Sequence, residues 1–344
     1  MRSISTALAA SIIIAWATAA TVAPEAPATP EAPVAPEAPV APVAPEAPVT
    51  LTFTGDLLLD RGVRRVIEAH GGSPDCLFTP AIDSLFAGSQ AVVANLECPA
   101  TEVVAPVFKR FIFRAQPEWL TALRRHGITH LNLANNHSID QGRKGLMDTR
   151  LNTVRAGMTP VGADSTMAAA ARPVLLYPAD SSAAPSCRKV WLIASLRMTL
   201  ENFAYLEDSP GVSNEPMDSL LHQVARLRGD DSTAVIIVSL HWGAEHTIDP
   251  VPAQRLDAHR LIDAGADVLI CHHTHTLQTT ETYRGRKIYY SIGNFIFDQK
   301  KPLNSRACLV SVSVTPHSVT TKALPITISH CVPTIDTRTQ HLSP

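Results

Sequence analysis

Five short apolar runs recur along the chain, and each gives way to polar residues at its C-terminal end. They cover residues 50–54, 91–96, 128–133, 234–240 and 267–270. Runs of this length, rich in Val, Ile, Leu and Ala, fit strands buried on both faces. Helical patterns lie between them. Residues 117–126 begin at Pro117 and stop before Gly127, 142–156 stop before Gly157, and 252–264 begin at Pro252 and stop before Gly265. Proline at a helix start and glycine just past its end are the usual punctuation. Alternating strands and helices predict a layered α/β fold. From residue 287 the pattern turns to successive strands, at 288–291, 308–314 and 318–328, so a mixed sheet is expected. Residues 178–186 read as a loop and 331–344 as a polar tail. A boundary at 180–215 would make two subdomains, but candidate functional residues fall on both sides of it. A single domain over 50–330 is expected.

The first fifty residues follow another pattern. Arg2 precedes an uncharged apolar stretch at 7–16, and Ala17-Thr18-Ala19 offers small residues for cleavage. Residues 1–20 therefore read as an export signal. The uncharged stretch 3–23 also approaches the roughly 20 residues of a membrane span, so an N-terminal anchor is the alternative. Residues 21–49 form a Pro/Ala/Glu-rich linker with proline at every third position from Pro24 to Pro48. That spacing suits a stiff polyproline II spacer, with a disordered linker as the other reading. The folded body is thus expected outside the cytoplasm, in the periplasm or beyond, free or held by its N-terminus.

This division changes what composition says. The linker holds nine of the 27 prolines, and residues beyond 50 carry 28 basic and 27 acidic side chains. A near-neutral body lacks the charge that drives sequence-independent nucleic-acid binding. The six cysteines contain no C-x-x-C pair, which argues against a structural zinc knuckle. Export permits disulfides, and the pairing is open.

Candidate chemistry sits at the strand ends: Asp56, then Asn95 and Glu97, then Asn135, Asn136 and His137, then His241 and Glu245, then His273 and His275. In layered α/β folds such ends converge on one crevice. Carboxylate, amide and imidazole donors together suit Zn, Mn or Fe. Two such ions about 3.5–4 Å apart bring a water and a phosphoryl oxygen together. Each signal has a plainer reading. Gly55-Asp56 recurs in turns, Asn-Asn-His is a capping sequence, and His241 beside Trp242 suits a core. His273 and His275, two apart on an extended segment, would point to one side. Five placements at strand ends together predict a metal site.

The same residues carry a resemblance. Thr54-Gly55-Asp56, Asn95-Leu96-Glu97, Ala134-Asn135-Asn136-His137-Ser138, His241-Trp242-Gly243-x-Glu245, His272-His273-x-His275-x-x-Gln278 and the block from Tyr290 to Gln299 appear in order. Together they resemble the CapA family, capsule synthesis proteins linked to poly-γ-glutamate and related to calcineurin-like metallophosphoesterases. The resemblance implies a four-layer αββα sandwich of the metallo-dependent phosphatase type with one or two divalent transition-metal ions. It makes Asp56 the first acidic ligand, Glu97 a bridging carboxylate, Asn136 an amide ligand and His137 a general acid or phosphate-orienting group. His241, His273 and His275 complete the ligand set, Glu245 and Asp298 would orient ligand histidines, and Asn95, Asn135, Asn294 and Gln299 shape the cleft.

Some positions depart from the pattern. Related phosphoesterases open with Asp-x-His, whereas Leu57 and Leu58 follow Asp56 here. One histidine ligand is missing, so one or two ions are both open. Asp60 would substitute as a ligand or cap the next helix. Cys271 replaces the family's glycine and is a further candidate ligand, while Thr274 replaces its proline. The resemblance implies an exported protein of poly-γ-glutamate synthesis, export or processing. Its site would be of hydrolase type, acting on an anionic polymer or a phosphoester beside membrane-bound capsule components. A non-catalytic polymer-binding module and a general extracytoplasmic phosphoesterase are the alternatives. No G-x-x-x-x-G-K-[ST] loop is present, so the chain has no such loop for ATP-driven ligation.

Overall fold

The computed structural model describes residues 48–179 and 188–336. The expected signal or anchor at 1–20, the linker as far as residue 47, most of the 178–186 loop and the tail from 337 lie outside them. Strand and helix alternate first through β1 (Val49–Leu57), α1 (Arg61–Ala69), α2 (Pro80–Ala87), β2 (Ala91–Leu96), α3 (Trp119–Arg125), β3 (His130–Asn132), α4 (Gly142–Arg155) and β4 (Thr159–Val161). Short pieces follow, namely β5 (Ala163–Asp164), α5 (Met167–Ala170) and β6 (Val174–Tyr177). A second alternation runs through β7 (Val190–Leu196), β8 (Gly211–Val212), α6 (Met217–Asp230), β9 (Val235–His241), α7 (Pro252–Asp263) and β10 (Val268–Ile270). Then come β11 (Thr280–Tyr283), β12 (Arg286–Tyr289), β13 (Asn294–Ile296), β14 (Arg306–Val314), β15 (Val319–Ser329) and β16 (Val332–Ile335).

Two large mixed sheets result. The first has eight strands in the order β16-β15-β14-β1-β2-β3-β4, with β13 also pairing with β1. Strands β1 to β4 are parallel, while β14, β15 and β16 run antiparallel to their neighbours. The second has six strands in the order β11-β12-β10-β9-β7-β6, parallel in its middle four and antiparallel at both edges. The fold is thus mixed α/β.

Successive side chains on a strand face opposite ways, and the buried clusters follow that period. On β2, Ala91 and Val93 join a cluster shared by both sheets, while Val92, Ala94 and Leu96 join one built with α1, α2, α3 and α4. On β9, Val235 and Ile237 belong to the shared cluster, while Ile236, Val238 and Leu240 pack with α6 and α7. These strands are therefore buried on both faces, as their continuous apolar runs require. Each fully buried Val, Leu or Ile contributes about 1.5–3 kcal/mol.

The elements depart from the sequence pattern at some ends. Strand β1 continues past residue 54 to Leu57 because it gains a second parallel partner there, β13. Residues 332–335, expected at the start of a polar tail, instead pair with β15 as β16. The described residues form one compact unit. No helix among the described residues is long and apolar enough to cross a membrane.

Candidate metal centre

Three parallel strands bring three polar side chains into one row. Asp56 on β1 is in register with Asn95 on β2 and with Asn294 on β13. This close approach needs Gly55, where a Cβ would lie 2.1 Å from Gly293 O. Glu97 follows β2, and His241 ends β9 in the other sheet. His273 and His275 follow β10. They lie not on an extended segment but in a turn, with left-handed φ of +97° and +54°. Such backbone is costly for non-glycine residues and concentrates at functional sites.

The row and the turn meet. Asp56, Glu97 and His275 form one group, and Glu97, His241 and His273 form another, each with donor atoms within 4.8 Å of one another. Glu97 belongs to both: its Oε1 lies 3.7 Å from His241 Nε2 and 3.8 Å from His275 Nε2. His275 Nδ1 is 3.2 Å from Asp56 Oδ2. Asn136 Oδ1 lies 2.9 Å from His241 Nε2, and His273 Nδ1 lies 3.1 Å from the same nitrogen. Asn95 Nδ2 donates to Asp56 Oδ1 at 2.8 Å and lies 3.3 Å from His241 Nδ1.

The donor set fits a divalent cation. Glu97 is fully buried, yet neither of its carboxylate oxygens takes part in a hydrogen bond, and Asp56 Oδ2 is in the same position. Buried carboxylate oxygens without donors are costly unless a cation or proton compensates. Two carboxylates, three imidazoles and an amide oxygen match the preferences of Mn, Zn or Fe.

The electrostatics follow from burial and neighbours. Burial opposes charge on Asp56, but the His272 and His275 imidazoles outweigh it and hold the carboxyl well below its usual range. Burial pushes Glu97 well above its usual value, and the negative Asp56, Glu245 and Asp140 add to that against the pull of His275. Burial lowers His241 and takes His273 down to about 4, so both rings are neutral donors near pH 7. His275 is raised to about 9, because Glu97 and Asp56 overcome the effect of burial.

Beside the two groups, His137 lines a small cleft with Lys109, Asn136 and Glu245. Its Nδ1 sits 2.8 Å from Asp140 Oδ2. Lys109 Nζ donates to Asp140 Oδ1 at 2.8 Å and to Asn136 O at 2.9 Å, and the Phe113 ring covers the imidazole at 4.2 Å. Asn135 organises the turn: Oδ1 accepts from the His137 and Ser138 backbone N–H groups, and Nδ2 donates to Leu96 O.

Other expected positions are engaged differently. Glu245 is exposed and lies 3.6 Å from His246. Asp298, expected to orient a ligand histidine, instead pairs with Arg61 and accepts from Gly62 N at 2.8 Å. The cause is Arg61, whose guanidinium lies over the Phe113 and Phe297 rings. Asn294 holds the histidine, with Oδ1 2.9 Å from His275 Nδ1, and its Nδ2 donates to Gln299 Oε1 at 3.3 Å. Asp60 caps α1 by accepting from Arg61 N at 2.8 Å and belongs to neither ligand group. Cys271 is buried outside both groups, and burial pushes its thiol up to about 12.

Sequence reasoning passed over four contributors. His272 lies in the histidine motif, and its Nδ1 is 3.4 Å from Asp56 Oδ1. Asp140 stands three residues after His137, a spacing that signals a shared turn. Lys109 comes from an irregular segment and Asn304 from a single 3-10 turn at Pro302–Ser305, and neither carries a pattern. Asn304 Nδ2 donates to His275 O at 2.7 Å.

The profile of the family described as bacterial capsule synthesis protein PGA_cap matches residues 50–299. The PGA biosynthesis protein CapA of Bacillus subtilis (strain 168) is 30% identical over 256 residues, 73% of this chain and 64% of that protein. The capsule biosynthesis protein CapA of Bacillus anthracis is 30% identical over 260 residues, 73% of this chain and 60% of that protein. A probable polyglutamine synthesis accessory protein of Mycobacterium tuberculosis is 34% identical over 199 residues, 52% of this chain and 47% of that protein. The chain thus spans less than two thirds of the length of each of these relatives. The profile match takes in the strand ends that bear the ligand-type side chains, and on it the chain belongs to the bacterial capsule synthesis protein PGA_cap family.

Proposed function

We propose that this protein is an exported, metal-dependent hydrolase-type enzyme acting on an anionic polymer of poly-γ-glutamate type during capsule synthesis, export or processing. The observation that carries the reading is Glu97, shared by two ligand groups beside His137. The polymer is suggested by the names of the relatives, and export by the N-terminal sequence pattern. Helices outside two facing sheets support a four-layer αββα sandwich of the metallophosphatase type.

In this reading Asp56, Glu97, Asn136, His241, His273 and His275 hold one or two ions of Mn, Zn or Fe, which when bound supply Lewis-acid activation of a phosphoryl or acyl oxygen and of water. Asn95 engages Asp56 Oδ1 and so leaves Oδ2 for ligation. Asn294 and Asn304 fix His275 from two sides, the outer support that ligand histidines need. Asp140 accepts the Nδ1–H of His137, so Nε2 is the nitrogen that orients the scissile group or protonates the leaving atom. Lys109 donates to Asp140 Oδ1 and so holds the carboxylate and the ring in place, and Phe113 covers the imidazole.

Metal content and turnover test this together. The full chain, reconstituted with Mn, Zn or Fe, is expected to hold one or two ions by elemental analysis. Assays use phosphomonoesters, phosphodiesters and poly-γ-glutamate. His137→Ala should keep the metal but lose about 100-fold or more in turnover. Absence of bound metal, or equal turnover by variant and parent, would overturn the reading. Polymer binding with no turnover of any substrate would leave a non-catalytic envelope module in its place.

A further inference from the structure

We propose that the cavity between α1, the segment after β13 and the β15–β16 turn is a carboxylate-binding subsite for an acidic polypeptide chain. This deepens the function proposed above and rests on it only for the route of that chain into the metal centre. The cavity encloses about 660 Å³, within the range of roughly 300–1,000 Å³ typical of ligand sites.

Its lining is divided by chemistry. Val66, Phe297 and Ile328 form an apolar floor, and Arg65, Lys300 and His330 stand on the rim. Arg65 and Lys300 are exposed and take part in no ion pair among the described residues. The one acid of the lining among the described residues, Asp298, is already occupied by Arg61 and Gly62 N. The cavity therefore presents uncompensated positive charge above an apolar surface.

An occupant must match both parts. A chain that alternates short methylene spacers with single carboxylates lays its spacers on the floor and its charges against Arg65 and Lys300. A polyphosphate has the charge but no apolar spacer for the floor. The cavity also shares a wall with the centre. The Phe297 ring packs on His275 at 4.6 Å, and the lining residue Gln299 accepts from Asn294, which holds the same histidine. A chain seated here runs past the back of the ligand turn.

Binding of polymer to the metal-loaded full chain tests this, read by calorimetry at low and high salt. Poly-γ-glutamate and poly-α-L-glutamate distinguish the two linkages, and binding of either supports the subsite. The Arg65→Gln/Lys300→Gln double variant should weaken binding at least about fivefold, and the binding that remains should depend less on salt. Both positions are exposed, so the variant should keep the parent's circular dichroism spectrum. His241→Ala should lose metal yet bind polymer like the parent, which separates failure of the subsite from failure of the hydrolase reading. Unchanged affinity in the double variant, no binding of either polyglutamate, or equal binding of polyphosphate with the same loss in the variant would each overturn the proposal.

Discussion

Glu97 shows how one residue trades stability for chemistry. Burial without hydrogen-bond donors raises its pKa, so the side chain favours a proton or a cation over a bare charge. His130 offers a cleaner test of burial, because it lies on β3 outside the ligand groups and is bonded to Thr129 Oγ1. Burial lowers it from 6.5 to about 4. Below pH 6.5 the unfolded chain takes up a proton that the native state refuses, so this contribution to stability is intact above 6.5. It is lost as pH falls towards 4, and amounts to at most about 3 kcal/mol. Urea unfolding of parent and His130→Asn across pH 4–7 should therefore show a slope shallower by about one proton in the variant. Parallel profiles would remove His130 as the source.

At the scale of elements, the contact between β1 and β13 decides whether the row of Asp56, Asn95 and Asn294 exists. Gly55→Ala would place a methyl against Gly293 O and push β13 away. A cost of about 3 kcal/mol and loosened metal binding are expected, read from the urea midpoint and from metal retained after dialysis. Full retention of both would mean that the strands yield without disturbing the site. The two strands of this pair were not equally legible. The apolar run 50–54 announced β1, whereas β13 spans three residues and forms only through its distant partner. Helix α1 buries only Val63 and Ile67, so Asp60 signalled its start while the sparse stripe gave no extent, and Pro333 disguised β16. The strand ends were readable because each follows a continuous apolar run. Asp298 was misjudged because Arg61 reaches it across the fold, and Lys109 was missed because it arrives on a segment with no period.

For the whole molecule, the origin of the ligands has a mechanical consequence. Asp56 and Glu97 extend from the first sheet, and His241, His273 and His275 from the second. None of the five cysteines among the described residues is bridged; the sheets meet through the shared apolar cluster, through hydrogen bonds such as Tyr289 Oη to Thr321 Oγ1 at 2.9 Å, and at this centre. An ion bound to both groups would link the sheets in the native state alone, because the unfolded chain does not keep the ligands together. At a free concentration 100 times the dissociation constant, such binding stabilises by about 2.7 kcal/mol. For a body of this size that corresponds to a rise in Tm of roughly 4–5 °C. Differential scanning calorimetry with and without a chelator should show that difference in the parent. Glu97→Gln, which alters the one ligand common to both groups, should nearly erase it. The metal-free form of that variant should melt no lower than the metal-free parent, since the substitution removes a buried acid that lacks hydrogen-bond donors. A parent whose melting ignores chelation would mean that the ligands, though adjacent, do not join the sheets through a metal.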